Sequence, residues 1–530
     1  VSGATWTLIG FGGGTVIRTI GNMTLTRFVA PEAFGIMALV NVTIQGLQMM
    51  SDVGVGTAIV QHKRGSEDTF LRTAWTLGII RSVLIALVGC LLALPIARMY
   101  DNAVLAPLII VSSLSTLLNG TMSTSLFIAS RELKIHRVVA IELITSIVTT
   151  MTMILAAVCY PVISSAVLGL ATLAWMPGAI ARFVARNLTN PVWALLIGTF
   201  CGLVIRWVLS YTIVPSIRHR LCWNKECRTE LIRYGRWIVL STLLTFLTNQ
   251  LDRFIVPKLL NNLTLFGLYS IALNFASMPM DILQRLGSQV LFPVYSTLAR
   301  QNRFTGDTYA RVSFIILTLG ALSVSGLVAI APGFIRTFFR AEYHDVAIIL
   351  QVFALVVWLR VLQYNSSSAL LAMGDTKIQA SSNMVKLVGL AVFVAAGFYA
   401  GSALSDHRLA GLFGAIAGIA LAELAKYGAL AYAWARSDWS KLKPDVKATL
   451  ELSVVCSLVV AGHFLTRSLP AWLDMLLSGL IVTLMYSVVM ARALVMVAPH
   501  LPMKLPGPLA RLVQTLSRFE RKPKTAGGVA

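Results

Sequence analysis

The sequence predicts an all-α, polytopic membrane protein of about 14 transmembrane helices, built as two six-helix lobes in pseudo-two-fold repeat plus two extra C-terminal helices. Three observations carry this. Of 530 residues, 57% are hydrophobic and only 12% are charged, against roughly 25% charged in a soluble domain. Charge-poor runs recur at about the 20-residue length that crosses a bilayer. Short motifs from the first part of the chain return in the same order in the second. This composition excludes a disordered chain, a secreted disulfide scaffold and an ordinary cytosolic enzyme.

The apolar runs, bounded by Pro, Gly or charged clusters, fall at 5–27, 36–60, 73–97, 104–129, 138–159, 192–216, 237–258, 264–298, 312–335, 345–371, 383–402, 409–434, 448–466 and 471–491. A further apolar stretch, 161–182, is the one ambiguity. Loop cations arbitrate. With cations in the last four residues of a span assigned to the adjoining loop, loops after even-numbered spans and the C-terminal tail hold 28 Lys and Arg, and loops after odd-numbered spans hold 9. Cytoplasmic loops collect cations, so both termini are expected in the cytoplasm. A full crossing by 161–182 would destroy the bias, so that stretch is expected to be re-entrant, interfacial or a helical extension on the outer side. The same rule accounts for the net charge of +22 without nucleic acid as a partner.

The expected organisation is an N-lobe (1–216), a basic cytoplasmic linker (217–236), a C-lobe (237–434), helices 13 and 14 (448–491) and a basic cytoplasmic tail (492–530). The tail carries Lys504, Arg511, Arg518, Arg521, Lys522 and Lys524, a composition suited to an anionic inner leaflet and equally to solvent. The first apolar run contains Arg18 and lacks a basic leader, so it reads as a membrane helix rather than a signal peptide, in a chain that begins with Val. The six cysteines are scattered. His219, Cys222 and Cys227 fall short of the four ligands of structural zinc and read as part of a reduced cytoplasmic loop. No cofactor or metal site is expected.

The repeat rests on three echoes. Arg27-Phe28-Val29-Ala30-Pro31 and Arg253-Phe254-Ile255-Val256-Pro257 close spans 1 and 7. Phe34-Gly35 and Phe266-Gly267 open the spans that follow, and Ser125, Ala129, Lys134 and Ile135 return as Ser368, Ala372, Lys377 and Ile378. A parallel repeat of this kind is a transporter device with the substrate site between repeats.

Charges within spans cost about 2.5–3.5 kcal/mol each on insertion scales and are functional suspects by default. The cations are Arg18, Arg81, Arg206, Arg253, Arg285, Arg360 and Lys426. The acids are Asp52, Asp252, Asp281 and Glu423, with Glu142 near the inner end of span 5. Arg18 is too deep to reach the headgroups cheaply; Arg206, Arg253 and Arg360 lie within reach of snorkelling, and Arg81 and Arg285 are intermediate. Glu423 and Lys426, three residues apart on one helix, are expected to pair. Cations outnumber acids in the inner half, so a cavity there would attract an anion, and arginine matches phosphate oxygens through paired hydrogen bonds. Arg18, Arg81, Arg285 and Arg360 are the candidate substrate-binding residues. Asp52, Asp281, Asp252, Arg253 and Glu423 are candidates for coupling or charge balance. Span 8 is expected to kink at Pro279 and run past the inner surface, and Gly12-Gly13-Gly14 to allow close packing of span 1.

Several passages resemble a known family. Arg27 to Gly35 is similar to the signature after the first helix of bacterial polysaccharide flippases, in the Wzx-like branch of the multidrug/oligosaccharidyl-lipid/polysaccharide exporter superfamily. Ser51-Asp52-Val53-Gly54 through Ile59-Val60-Gln61 resembles the end of that family's second helix, and Arg131 to Arg137 its basic loop before helix 5. Asn249-Gln250-Leu251-Asp252-Arg253 resembles its helix 7 element, and Leu291-Phe292-Pro293 its close of helix 8. The resemblance covers about residues 5–435 and departs from the family pattern at about 156–190. It implies a flippase, not an enzyme, in the bacterial inner membrane. The implied substrate is an undecaprenyl-diphosphate-linked oligosaccharide moved to the outer leaflet by alternating access, for exopolysaccharide, capsule or O-antigen assembly. Membrane lipids, and a polysaccharide polymerase with export machinery, are the implied partners, with H+ or Na+ as the coupling ion. By the same resemblance, helices 13 and 14 would form a groove for the lipid tail.

Rival readings are a multidrug or cation exporter or a lipid II flippase of the same superfamily, a membrane polymerase or ligase, and a non-transporting scaffold. Fourteen spans and an arginine excess argue against a cation exporter. Short outer loops argue against a polymerase, and buried arginines against a scaffold.

Overall fold

The structure is a computed structural model that describes residues 3–52, 54–62, 64–132, 134–171, 190–213, 219–287, 295–296, 306–435 and 443–497. Among these there is no strand. The first nine helices are α1 (Gly3–Leu25), α2 (Pro31–Met50), α3 (Val55–Gln61), α4 (Asp68–Met99), α5 (Leu105–Gly120), α6 (Ser125–Arg131), α7 (Ile135–Ala171), α8 (Val192–Thr212) and α9 (Lys225–Gln250). The rest are α10 (Asp252–Leu260), α11 (Leu263–Leu286), α12 (Gly306–Ala329), α13 (Ala331–Phe338), α14 (Asp345–Ala372), α15 (Thr376–Leu404), α16 (Ala410–Ala435), α17 (Lys443–Thr466) and α18 (Ala471–Val497).

Each of the fourteen sequence-derived intervals falls on one of these helices or on a pair of them. Eleven are long and apolar enough to cross a membrane by themselves, and twelve if the bent pair α5–α6 counts as one span. The chain forms two compact units. The first holds residues 1–271, 339–343 and 390–415, and the second holds 272–338, 344–389 and everything from 416 onward.

In the first unit α7 packs between α1 and α8, and α2 lies against α9. The glycines of α1 make its seam with α7. A Cβ on Gly10 would press on Val139, and one on Gly13 would lie 3.0 Å from Leu143, whereas one on Gly12 would meet nothing within 4 Å. Close packing is therefore what this glycine run does, without a break in the helix. Helix α7 continues through Pro161 to Ala171, so 161–171 is a helical extension and 172–182 lies outside the described residues. At 1.5 Å per residue its 37 residues reach about 55 Å, well beyond a hydrocarbon core of about 30 Å. Helix α11 runs through Pro279 to Leu286 without interruption. The expected continuation of span 8 and Leu291-Phe292-Pro293 fall outside the described residues, as do the tail cations beyond 497.

The repeat motifs meet each other inside the first unit. A Cβ on Gly35 would collide with the Leu263 carbonyl oxygen, and one on Gly267 with the Pro31 carbonyl oxygen. Only glycine lets two helix starts approach so closely. The Tyr100 hydroxyl donates to the Phe254 carbonyl at 3.0 Å, and the Tyr343 hydroxyl donates to the Val29 carbonyl at 2.6 Å. Both contacts are reciprocal: a residue of one repeat reaches the equivalent element of the other. That is how a pseudo-two-fold axis appears in side-chain contacts.

In the second unit α12 is the hub, packed by α14, α17 and α18, with α13 on α18. Its partners α17 and α18 are the two helices outside the repeat.

Candidate functional site

Three of the sequence-derived spans of the first unit run over two helices each, and the breaks in spans 2 and 4 frame a cavity. Span 2 stops at Met50, where Ser51 Oγ bonds back to the Leu47 carbonyl. Gly54 then takes a left-handed conformation (φ 62°) and starts α3. The Asp52 carboxylate accepts the Gly54 N–H at 3.0 Å, the local bond that lets an aspartate form a turn. Arg131 closes α3 by donating to the Ile59 and His62 carbonyls at 2.8 and 2.7 Å. The second break separates α5 from α6 by a 60° bend. Its freed Thr121 carbonyl accepts from Trp75 Nε1 at 3.3 Å and from the Tyr211 hydroxyl, while Trp207 Nε1 donates to Thr121 Oγ1 at 3.1 Å. Non-helical backbone at membrane depth persists only where protein or a polar cavity satisfies it. Here the protein does both.

The cavity between these breaks has a volume of about 890 Å³. Among the described residues its charged lining is Asp52, Arg81, Glu142 and Arg206. Gln48, Ser82, Thr116, Asn119, Thr124 and Thr242 add uncharged polar groups, and Trp75 and Phe127 are its aromatic members. Arg81 reaches across from α4: its guanidinium lies 3.3 Å from Asp52, donates to Ser51 Oγ at 3.1 Å and donates to the Gln48 carbonyl at 2.6 Å. The arginine thus satisfies the carbonyl that the helix break exposes.

The second unit carries a different arrangement. Glu423 on α16 is fully buried and receives Arg360 Nε at 2.7 Å and Lys386 Nζ at 2.8 Å on one oxygen. Gln363 donates to its other oxygen at 3.0 Å and to its backbone carbonyl at 2.6 Å. The expected partner Lys426 is not used. Lys386 was read from the sequence as a loop cation, yet it is buried and lies closer to Glu423 than an i, i+3 neighbour on the same helix. A second buried acid, Asp445 in the first turn of α17, accepts from Tyr309 at 2.7 Å and from Ser313. Its interval was read as loop, because the apolar run begins later.

The remaining candidates do not join either arrangement. Arg18 is exposed on α1 and bonds Thr15 one turn back at 3.3 Å. Arg285 and Asp281 are exposed on the last turns of α11. Asp252 is buried and accepts the Tyr269 hydroxyl at 2.5 Å; beside it Arg253 is half-buried, and its Nε has no hydrogen-bond partner among the described residues. The structure therefore brings Asp52 to Arg81, and Arg360 to Glu423. Sequence reasoning left Arg206 and Glu142 outside its candidate set and missed Lys386, Gln363 and Asp445.

An apolar groove of about 530 Å³ lies among α12, α14 and α17, lined by Ala321, Val324, Leu355, Trp358, Leu452, Val460 and Phe464 among others.

The chain resembles proteins of envelope polysaccharide assembly. The lipopolysaccharide biosynthesis protein WzxC of Escherichia coli (strain K12) is 22% identical over 390 residues, 73% of this chain and 72% of that protein. The teichuronic acid biosynthesis protein TuaB of Bacillus subtilis (strain 168) is 23% identical over 403 residues, 74% and 76% of the two chains. Among solved structures, the lipid II flippase MurJ in an inward closed conformation superposes with a TM-score of 0.65 at 14% identity, over 92% of this chain and 98% of that one. The polytopic helical fold is therefore shared with that protein. The profile of the polysaccharide biosynthesis protein family matches residues 24–176 and 170–348, more than half of the chain, and together with the motifs from Arg27 onward it places this multi-pass membrane protein in that family.

Proposed function

We propose that the protein is a flippase that moves undecaprenyl-diphosphate-linked oligosaccharide units from the cytoplasmic to the outer leaflet for export-polysaccharide assembly. The observation that carries this is a large cavity whose walls carry charged and polar side chains inside an otherwise apolar helical body, in a member of a polysaccharide biosynthesis family. A chamber framed by broken helices and holding charged and polar groups has no structural benefit of its own, because each freed backbone group must be satisfied. It is explained by a hydrophilic cargo that has to leave water and cross.

The carrier lipid adds two requirements. Its diphosphate needs cations, and Arg18, Arg285 and Arg360 are the candidates we assign to it. Glu423 then serves charge balance, holding Arg360 and Lys386 together. Its long apolar tail needs a greasy track, and the mainly apolar groove along α17 offers one, with Thr449, Ser453 and Ser457 among its walls. Movement by alternating access, driven by a proton or sodium gradient, completes the proposal, with Asp281 and the Asp252–Arg253 pair as the coupling candidates. Both termini are placed in the cytoplasm and the protein in the inner membrane, beside a polymerase and export machinery that consume the product.

The test is transfer of a fluorescent undecaprenyl-diphosphate oligosaccharide between leaflets of reconstituted liposomes. Wild type is expected to accelerate transfer, and Arg18→Ala to reduce it at least tenfold with folding intact. Wild type inactive toward several glycans would end the flippase reading and move the weight to a drug exporter or a scaffold.

A further inference from the structure

Among the described residues, the cavity of the first unit does not have the charge that a phosphate cage requires. Within the inner halves of the spans cations outnumber acids, yet among the described residues the cavity walls hold two of each: Arg81 and Arg206 against Asp52 and Glu142. An anion entering it would lose its hydration and meet no net positive charge in return. It would also lie close to two carboxylates.

The same walls suit an uncharged sugar. A pyranose ring has one face of C–H groups and an edge of hydroxyls that each donate and accept. Trp75 and Phe127 supply apolar surface, and Asn119 and Gln48 supply amides that both donate and accept. Asp52 and Arg81, 3.3 Å apart, set an acceptor beside a donor, the pattern that a pair of neighbouring hydroxyls satisfies at once. The volume, about 890 Å³, lies near the top of the ~300–1,000 Å³ range of small-molecule sites.

From this we propose that the first-unit cavity is a sugar chamber that selects uncharged sugars over uronates and phosphates, rather than the seat of the diphosphate. The chamber deepens the flippase reading and rests on it. Within it Asp52 has a defined part: it offsets Arg81 and thereby rejects acidic sugars, while its bond to the Gly54 N–H holds the α2–α3 break.

The experiment compares two probes in liposomes: undecaprenyl diphosphate carrying one glucose, and the same lipid carrying one glucuronate. Wild type is expected to transfer the glucosyl lipid at least tenfold faster. Asp52→Asn keeps an oxygen for the Gly54 N–H, so the break survives, but it leaves the chamber with a net positive charge; the preference is expected to fall to threefold or less, through faster glucuronosyl transfer. Asn119→Ala, away from the α2–α3 break, is expected to slow the glucosyl lipid about tenfold and leave transfer of sugar-free undecaprenyl diphosphate unchanged. Equal rates for both probes in wild type, or a preference indifferent to Asp52→Asn, would overturn the chamber while leaving the flippase intact. Transfer of neither probe, nor of the sugar-free lipid, would overturn the flippase reading and the chamber with it.

Discussion

In the first unit Arg81 meets Asp52 one to one beside a cavity, with 26% and 39% of the two side chains exposed. In the second, Glu423 has no exposure and takes Arg360 and Lys386 together. The contrast follows from the cost of moving a charge out of water. A charge at a wet wall keeps part of its hydration and needs one partner. A carboxylate with none must recover the whole loss from its neighbours, and the two cations and an amide do that here. The first arrangement leaves its groups available to a ligand; the second spends the carboxylate on structure.

This contrast can be broken in order of effect. Glu423→Gln removes the compensation for two cations at once and should destabilise by about 3–5 kcal/mol, as breaking a buried pair does. Thermal unfolding of the purified protein measures it; a stability within 1 kcal/mol of wild type would show that the cluster is wet and no different from the cavity. Next comes Gly267→Ala, whose added methyl must displace the Pro31 carbonyl; about 1–3 kcal/mol is expected, as for other overpacked contacts, while Gly12→Ala should be neutral because its side is open. Equal losses for the two glycines would mean that the contact between the repeats is looser than the geometry states.

Asp52→Asn comes third. The pair is half exposed, so less than about 1 kcal/mol of stability should be lost, although sugar selectivity changes. A loss as large as that of Glu423→Gln would place Asp52 in a dry core and remove the basis for a ligand there.

The smallest effect concerns the packing behind the cavity wall. Cys227 is buried among Val55, Ile59, Phe70 and Leu71, and burial pushes its thiol up, with Arg64 opposing in part. The thiolate is the reactive form, so at pH 7 a maleimide should modify half-buried Cys222 far faster than Cys227, with Cys227 gaining only as the pH rises. Comparable rates would mean that this wall opens.

Much of the fold was legible because a bilayer imposes a length and an apolarity on each element, and both are written along the chain. Fourteen intervals, the cation bias and the recurrence of Arg-Phe and Phe-Gly could be read without any tertiary knowledge. So could the glycine seam of α1, since small residues mark close helix packing. The site was only half legible. Asp52, Arg81, Arg360 and Glu423 stood out because an ionisable residue in an apolar run is conspicuous. Lys386 and Asp445 did not, because they lie where a span and a loop meet, and only packing decides whether such a residue faces water.

By itself, then, the sequence determined a polytopic helical exporter-like fold with an internal repeat and a short list of expensive charges. The tertiary structure alone decided which charges are partners. Glu423 chose Arg360 and Lys386 over Lys426, which is nearer in sequence, and the breaks at Ser51–Gly54 and Thr121–Thr124 turned two apparent spans into the frame of a charge-balanced cavity. Hydropathy is a sum over neighbours in the chain, whereas an ion pair depends on distance in space, and at a helix break the two no longer run together.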